Sequence, residues 1–423
     1  MSTDPSSPSP WRFIPTLYFG EGVPNVIIST VAVVLYKKLG IDNNQITAWT
    51  SFLYLPWVLK MFWGPLVDIY ATKRTWILTT QFAMCCCLSL VALSLQLPNF
   101  FFISLAAFTL GAFVSATYDI ATDGFYMLAL NSEQQAFFVG IRSLFYRLAM
   151  LFGSGFLLVL AGYLENKLNY HTALSWSMTI GFAALIFAIL FIYHRFTLPF
   201  PESQKTNKLP PAATSIPFWQ IIKTYFQQGK IGAILAFILL YRFGEAMLLK
   251  VAALFLVDEV AQGGLGLSTD EFGLVYGTYG VLSLIIGGIL GGVLIARYGL
   301  RKCLLPMALA LNLPNIFYVY LAYYKPGLLL IYPLVSLEQF GYGLGFTAFS
   351  VYLMYICQGE YKTSHYAIST GLMALGLMLP GAISGTIQKS LGYPLFFVLV
   401  CLLTIPGIIT IFFIPLAEEK LDK

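Results

Sequence analysis

Charge is scarce in this chain: Asp, Glu, Lys and Arg together make up 10% of its 423 residues, against roughly 25% in a soluble domain. That is too little to cover a water-facing surface, which excludes a soluble globular protein. Histidine is scarcer still. His171, His194 and His365 are scattered over expected loops and helix ends, with no partner near in sequence. The six cysteines (Cys85, Cys86, Cys87, Cys303, Cys357 and Cys401) fall in or beside apolar runs, and no Cys/His spacing suits a metal. They read as small lipid- or core-facing residues. This inventory assembles no hydrolytic triad, so no catalytic residue, metal or cofactor is expected and the chain is not read as an enzyme. Residues 1–11 lack the basic region of a cleavable signal, so the first apolar run reads as a retained span.

What is abundant is apolar length. Hydrophobic residues make up 58% of the chain, in runs of about 20, enough to cross a hydrocarbon core of roughly 30 Å. The fold class expected is an all-α polytopic membrane protein with twelve transmembrane helices. The first six are predicted at 13–36, 46–67, 76–97, 101–130, 136–164 and 173–193. The second six are predicted at 231–257, 272–296, 303–323, 327–357, 366–389 and 393–415. The division is a six-helix bundle over 1–194, a cytoplasmic linker over 195–230 and a second six-helix bundle over 231–423. The linker is rich in Pro, Ser, Thr and Lys, with one surface helix expected near 218–226. Twelve spans put both termini on one side. Fourteen Lys and Arg fall on that side and five on the other, so the termini are expected to be cytoplasmic. The formal charge of +5 is therefore no nucleic-acid signal.

The two halves echo each other. Tyr18-Phe19-Gly20-Glu21-Gly22 in span one matches Arg242-Phe243-Gly244-Glu245-Ala246 in span seven, 224 residues later. A second echo follows spans two and eight: Gly64 to Asp68 with Lys73 and Arg74, and Gly292 to Arg297 with Gly299, Arg301 and Lys302. Both resemble the loop of the major facilitator superfamily, in which Gly, three residues and Asp precede basic residues and a further Gly. The first copy lacks the second Gly, and the second has Ala296 in place of Asp. Gly64, Asp68, Arg297, Gly299 and Arg301 are the gating-loop candidates. Parallel six-span halves rocking about a midplane site are that superfamily's architecture.

Ionisable residues inside spans are costly and mark pathways. Here the acids are Glu21, Asp119, Asp123, Glu245 and Glu338, on spans one, four, four, seven and ten. Spans three, six, nine and twelve carry no charge in their interiors. All five acids are candidates for proton coupling. The bases inside spans are Lys60, Arg142, Arg147, Arg242 and Lys250, candidates for holding an anionic substrate group. Hairpin arithmetic sets Asp123 level with Arg142, Asp119 with Arg147 and Glu21 with Lys60. Arg242 and Glu245 stand one helical turn apart, where side chains meet. Such pairs also serve insertion alone, by neutralising each other. A glutamate whose cationic partner moves away during transport could take up and release a proton.

Aromatic residues gather by these charges: Tyr18, Tyr54, Trp57, Tyr118, Tyr146, Tyr241 and Tyr342. Flat rings with a polar edge suit sugars, although membrane helices also use them at interfaces and in packing. Gly287 with Gly291, Gly288 with Gly292, and Gly153 and Gly155 read as close-packing positions.

Two stretches carry a sharper resemblance. Span two reads Leu55-Pro56-Trp57-Val58-Leu59-Lys60-Met61-Phe62-Trp63-Gly64-Pro65-Leu66-Val67-Asp68, and span four reads Ser115-Ala116-Thr117-Tyr118-Asp119-Ile120-Ala121-Thr122-Asp123. Gly345 to Phe349, Tyr366-Ala367 and Pro380-Gly381 add to them. Together they resemble the AmpG-type muropeptide permeases and their relatives, the acetyl-coenzyme A transporters and some siderophore permeases. The resemblance implies proton-driven import of an anhydro-muropeptide or related cell-wall sugar across a bacterial inner membrane. It implies a small-molecule substrate, protons and the lipid bilayer as partners, no nucleic acid, and a protein that works as a monomer. Lys60, Asp119 and Asp123 carry over by motif position. Glu21 does not, since a small or neutral residue precedes the Gly-x-Pro of span one in that family. A siderophore, a peptide-like drug or an acyl-coenzyme A remains the alternative cargo, and a non-transporting membrane sensor the alternative of another class. Span five lacks the Gly-Pro pair of drug antiporters, which favours import.

Overall fold

The computed structural model describes residues 9–64, 67, 71–130, 132–200, 218–357 and 362–416. In the hydrocarbon region backbone groups find no water, so a chain this apolar satisfies them within helices. Nine helices among the described residues are long and apolar enough to cross a membrane. α1 is Pro10–Lys38, and α2 (Asn43–Phe52) and α3 (Leu55–Leu59) are short pieces within the second expected span. α4 is Lys73–Ser94 and α5 is Phe100–Ala129. α6 begins as Ser132–Met150 and passes through the π-helical stretch Leu151–Leu157 into Leu158–Asn166. α7 is Thr172–Thr197, and α8, Phe218–Phe226, is the expected linker helix. Then come α9 Ile231–Val257, α10 Thr269–Tyr298, α11 Leu300–Tyr324, α12 Leu328–Tyr355 and α13 Lys362–Thr410. α13 holds the last two spans, split where Gly392 adopts φ 72°. Among the described residues, helical segments lie along the apolar runs predicted to span. The second expected span is broken rather than continuous.

The chain divides into two compact units. The first comprises Met1–Leu35 and Leu59–Thr214, and the second Tyr36–Val58 and Ser215–Lys423. In the first, α4 packs between α5 and α7, and α1 lies on α6. Its core gathers Phe13, Leu17, Tyr18, Ile77, Tyr118 and Phe125. α1 and α6 approach where Gly153 meets Val26, and a Cβ at Gly153 would collide with that side chain. In the second unit, α10 packs on α12: a Cβ at Gly287 would run into the Phe340 carbonyl, and Gly291 lies against Thr347. Gly292, by contrast, faces open space. Close helix approach through small residues is how membrane bundles gain packing without a hydrophobic drive between helices. Phe102, Leu329 and Phe412 are among many large apolar side chains left on the outside, the face expected toward lipid.

Candidate functional site

In the first unit, Tyr18, Glu21, Lys60, Asp119, Asp123 and Arg142 form one polar group. Arg142 meets Asp123 at 3.2 Å, as hairpin arithmetic predicts. The Tyr18 hydroxyl donates to Asp123 Oδ1 at 2.9 Å and accepts from Arg142 at 3.1 Å. The guanidinium also lies over the rings of Tyr18 and Tyr126. Lys60 meets Asp119 at 3.6 Å rather than Glu21, with which it is level. Equal distance from a turn fixes height along a helix and not its rotation. Glu21 Oε2 is enclosed and has no hydrogen-bond partner among the described residues. Lys60, Arg142, Asp119 and Asp123 all act on it electrostatically. Arg147 and Tyr146 make interactions of their own.

Sequence reasoning missed what holds this group from behind. His194 is fully buried, and its partners lie far away in sequence. Gln81 Nε2 stands 2.7 Å from His194 Nδ1 and donates to the Tyr118 hydroxyl at 3.1 Å. Tyr118 in turn donates to the Leu17 carbonyl. With both amide hydrogens so directed, Nδ1 accepts and Nε2–H faces Thr16 Oγ1 at 2.8 Å. The chain ties α1 to α4, α5 and α7. Tyr118 therefore braces α1 through its hydroxyl. In sequence the only hints are Thr16 and Gln81 inside apolar runs and His194 just past the end of one.

The second unit treats its acids differently. Arg242 and Glu245 form a bidentate pair, Nε to Oε2 at 3.0 Å and Nη2 to Oε1 at 3.1 Å. Both are almost wholly buried. Arg242 also donates to the Tyr342 hydroxyl at 2.8 Å and lies over the rings of Tyr342 and Phe346. Glu338 is buried with two neutral donors, Gln339 Nε2 at 3.0 Å and Tyr318 Oη at 3.4 Å. Tyr241 donates to the Gly345 carbonyl and stacks on Phe349. Lys250 is buried, donates to Thr50 Oγ1 at 3.1 Å and lies 5.2 Å from the Tyr54 ring centre. Trp57 neighbours Tyr54.

A further polar cluster in this unit was not foreseen. Asp258 receives Lys37 at 2.8 Å, Tyr393 Oη at 2.8 Å and Asn43 Nδ2 at 3.3 Å. Asn43 also reaches Gln388 Oε1 and receives Lys37 on its own oxygen. These residues sit at the ends of expected spans, where polar side chains read as loop chemistry. Of the gating-loop candidates, Asp68 lies outside the described residues. Gly64 has open space around it. Arg297 lies over Tyr298, and Arg301 has an interaction of its own. Gly299 adopts φ 79°, ψ 152°, a conformation essentially restricted to glycine.

Comparison with known proteins bears on the family. The model of the Major Facilitator Superfamily matches residues 16–249. A putative transporter, AmpG 4, of Rickettsia felis is 26% identical over 408 residues, covering 93% of this chain and 94% of the relative. The anhydromuropeptide permease of Escherichia coli K12 is 26% identical over 400 residues, covering 93% of this chain and 77% of that protein. Among solved structures, a D-xylose–proton symporter superposes with a TM-score of 0.75 over 95% of this chain and 96% of its own, at 11% identity. The nucleoside transporter NupG gives 0.68 over 94% and 97%, at 14% identity.

Proposed function

The chain belongs to the major facilitator superfamily and is a multi-pass membrane transporter rather than an enzyme, and we propose that it is a proton-coupled importer of an anhydro-muropeptide or related cell-wall sugar. It works by alternating access in a bacterial inner membrane, as a monomer with both termini cytoplasmic. The observation that carries the coupling is Glu21. An enclosed carboxyl oxygen without a partner, beside two acids and two bases, can change protonation as its neighbours move. Asp119 and Asp123 belong to the same group, and Glu338, which has no cation against it among the described residues, is the corresponding candidate in the second unit. The cargo reading is supported by the motifs of spans two and four and by the name of the Escherichia coli relative.

The test is uptake of labelled N-acetylglucosaminyl-anhydro-N-acetylmuramic acid by cells that lack their own permease, with and without an uncoupler. Accumulation that collapses with the uncoupler supports the whole reading. Uptake unaffected by the uncoupler removes the proton. No uptake at good membrane expression removes the cargo.

A further inference from the structure

The intramembrane cations are not equivalent. Lys60, Arg142 and Arg242 each face a carboxylate. Lys250, only 6% exposed, has none within ion-pair distance among the described residues. Its contacts are the Thr50 hydroxyl and the Tyr54 ring. A hydroxyl and a ring face share a positive charge without neutralising it, and an ammonium inside a membrane bundle is costly to keep so.

Next to Thr50 in sequence, Ser51 Oγ is enclosed and has no hydrogen-bond partner among the described residues. Thr50 Oγ1 already donates to the Ile46 carbonyl at 2.7 Å, so Ser51 holds the free hydroxyl hydrogen. Gly381 brings its backbone against both: a Cβ there would stand 2.8 Å from Ser51 Oγ and 3.3 Å from Lys250 Cγ. Both side chains thus border Gly381, and an ammonium and a hydroxyl are donors of the kind that a carboxylate's oxygens accept. The adjoining ring suits the apolar face of a sugar.

We propose that Lys250, with Ser51 and Tyr54, is the seat for a carboxylate of the transported compound. The proposal deepens the cell-wall-sugar reading and rests on it for the choice of cargo. In this arrangement Lys250 reads the charge of the cargo, while the acids of the first unit handle the proton.

The experiment compares initial uptake of labelled N-acetylglucosaminyl-anhydro-N-acetylmuramic acid with that of its methyl ester. Wild type should prefer the acid. Lys250→Met should lower acid uptake about tenfold or more, the weight of one charge-assisted hydrogen bond, and leave ester uptake nearly unchanged. Lys250→Arg should recover part of the preference. Equal loss of acid and ester would make Lys250 a packing residue and overturn the seat, as would undiminished acid uptake. If wild type carries neither compound, the cargo reading fails, and the seat is judged by Lys250→Cys labelled with an anionic methanethiosulfonate, with the wild-type chain as background. Modification supports a seat that opens to water, and absence of modification overturns it.

Discussion

Glu21 and Glu245 occupy the same place in the repeated Phe-Gly-Glu pattern, yet the structure gives them opposite surroundings. The residue three positions earlier decides it. In the second unit this is Arg242, whose guanidinium closes on Glu245 with two hydrogen bonds. In the first it is Tyr18, whose hydroxyl turns to Asp123, and Glu21 Oε2 has no hydrogen-bond partner among the described residues. The two copies of the pattern share the helix and its glycine and differ in chemistry. One acid is held as part of a buried pair, and the other is the one proposed to change its charge.

The largest effect should come from breaking the held pair. Arg242→Met leaves a buried carboxylate uncompensated, a loss of about 3–5 kcal/mol for a buried ion pair with one partner removed. Arg242→Met with Glu245→Leu should recover most of it. Thermal unfolding of the purified protein reads both. A single variant that melts like wild type would show that the pair carries no such weight.

Next comes Asp258, the hub of the second unit's other polar cluster. Asp258→Asn keeps the shape but removes the charge facing Lys37, and should cost about 1.5–3 kcal/mol, the range for hydrogen bonds to charged groups. The same unfolding measurement checks it, and a Tm unchanged by the substitution would contradict it. Glu21→Gln should act in the opposite way, leaving the melting curve in place while lowering uncoupler-sensitive accumulation about tenfold or more, or at least 1.4 kcal/mol. Glu245→Gln should leave that accumulation responsive to the uncoupler. If the two variants behaved alike in transport, the contrast between the repeats would have no functional meaning.

The sequence revealed most of the fold because bilayer-length apolar runs leave little choice of structure: α9 begins and ends at the residues its apolar run predicts. The second span broke that rule. Apolar content alone did not disclose that α2 ends at Phe52 and α3 at Leu59, with Pro56 in the shorter piece. For the site, one-turn spacing on a single helix was enough to pair Arg242 with Glu245, and a short hairpin was enough to pair Asp123 with Arg142. Lys60 needed the rotation of α5 relative to its own helix, which no spacing rule supplies. The His194 brace and the Asp258 cluster join residues more than 100 positions apart, and only packing brings them together.

The smallest effect should fall on the pair that was easiest to foresee. Asp123 and Arg142 are 51% and 37% exposed at the side chain, far less enclosed than Arg242 and Glu245, and their coupling should be about 1 kcal/mol or less, as for an exposed pair. A double-mutant cycle with Asp123→Asn and Arg142→Gln, read by thermal unfolding, isolates that term. Each single variant still disturbs Tyr18, whose hydroxyl donates to one partner and accepts from the other, so the cycle belongs in a Tyr18→Phe background as well. A coupling equally small in both backgrounds would leave the pair's value in how it sets the field around Glu21. A coupling as large as that expected for Arg242 and Glu245 would mean that the two units hold their charges alike, and the freedom assigned to Glu21 would lose its basis.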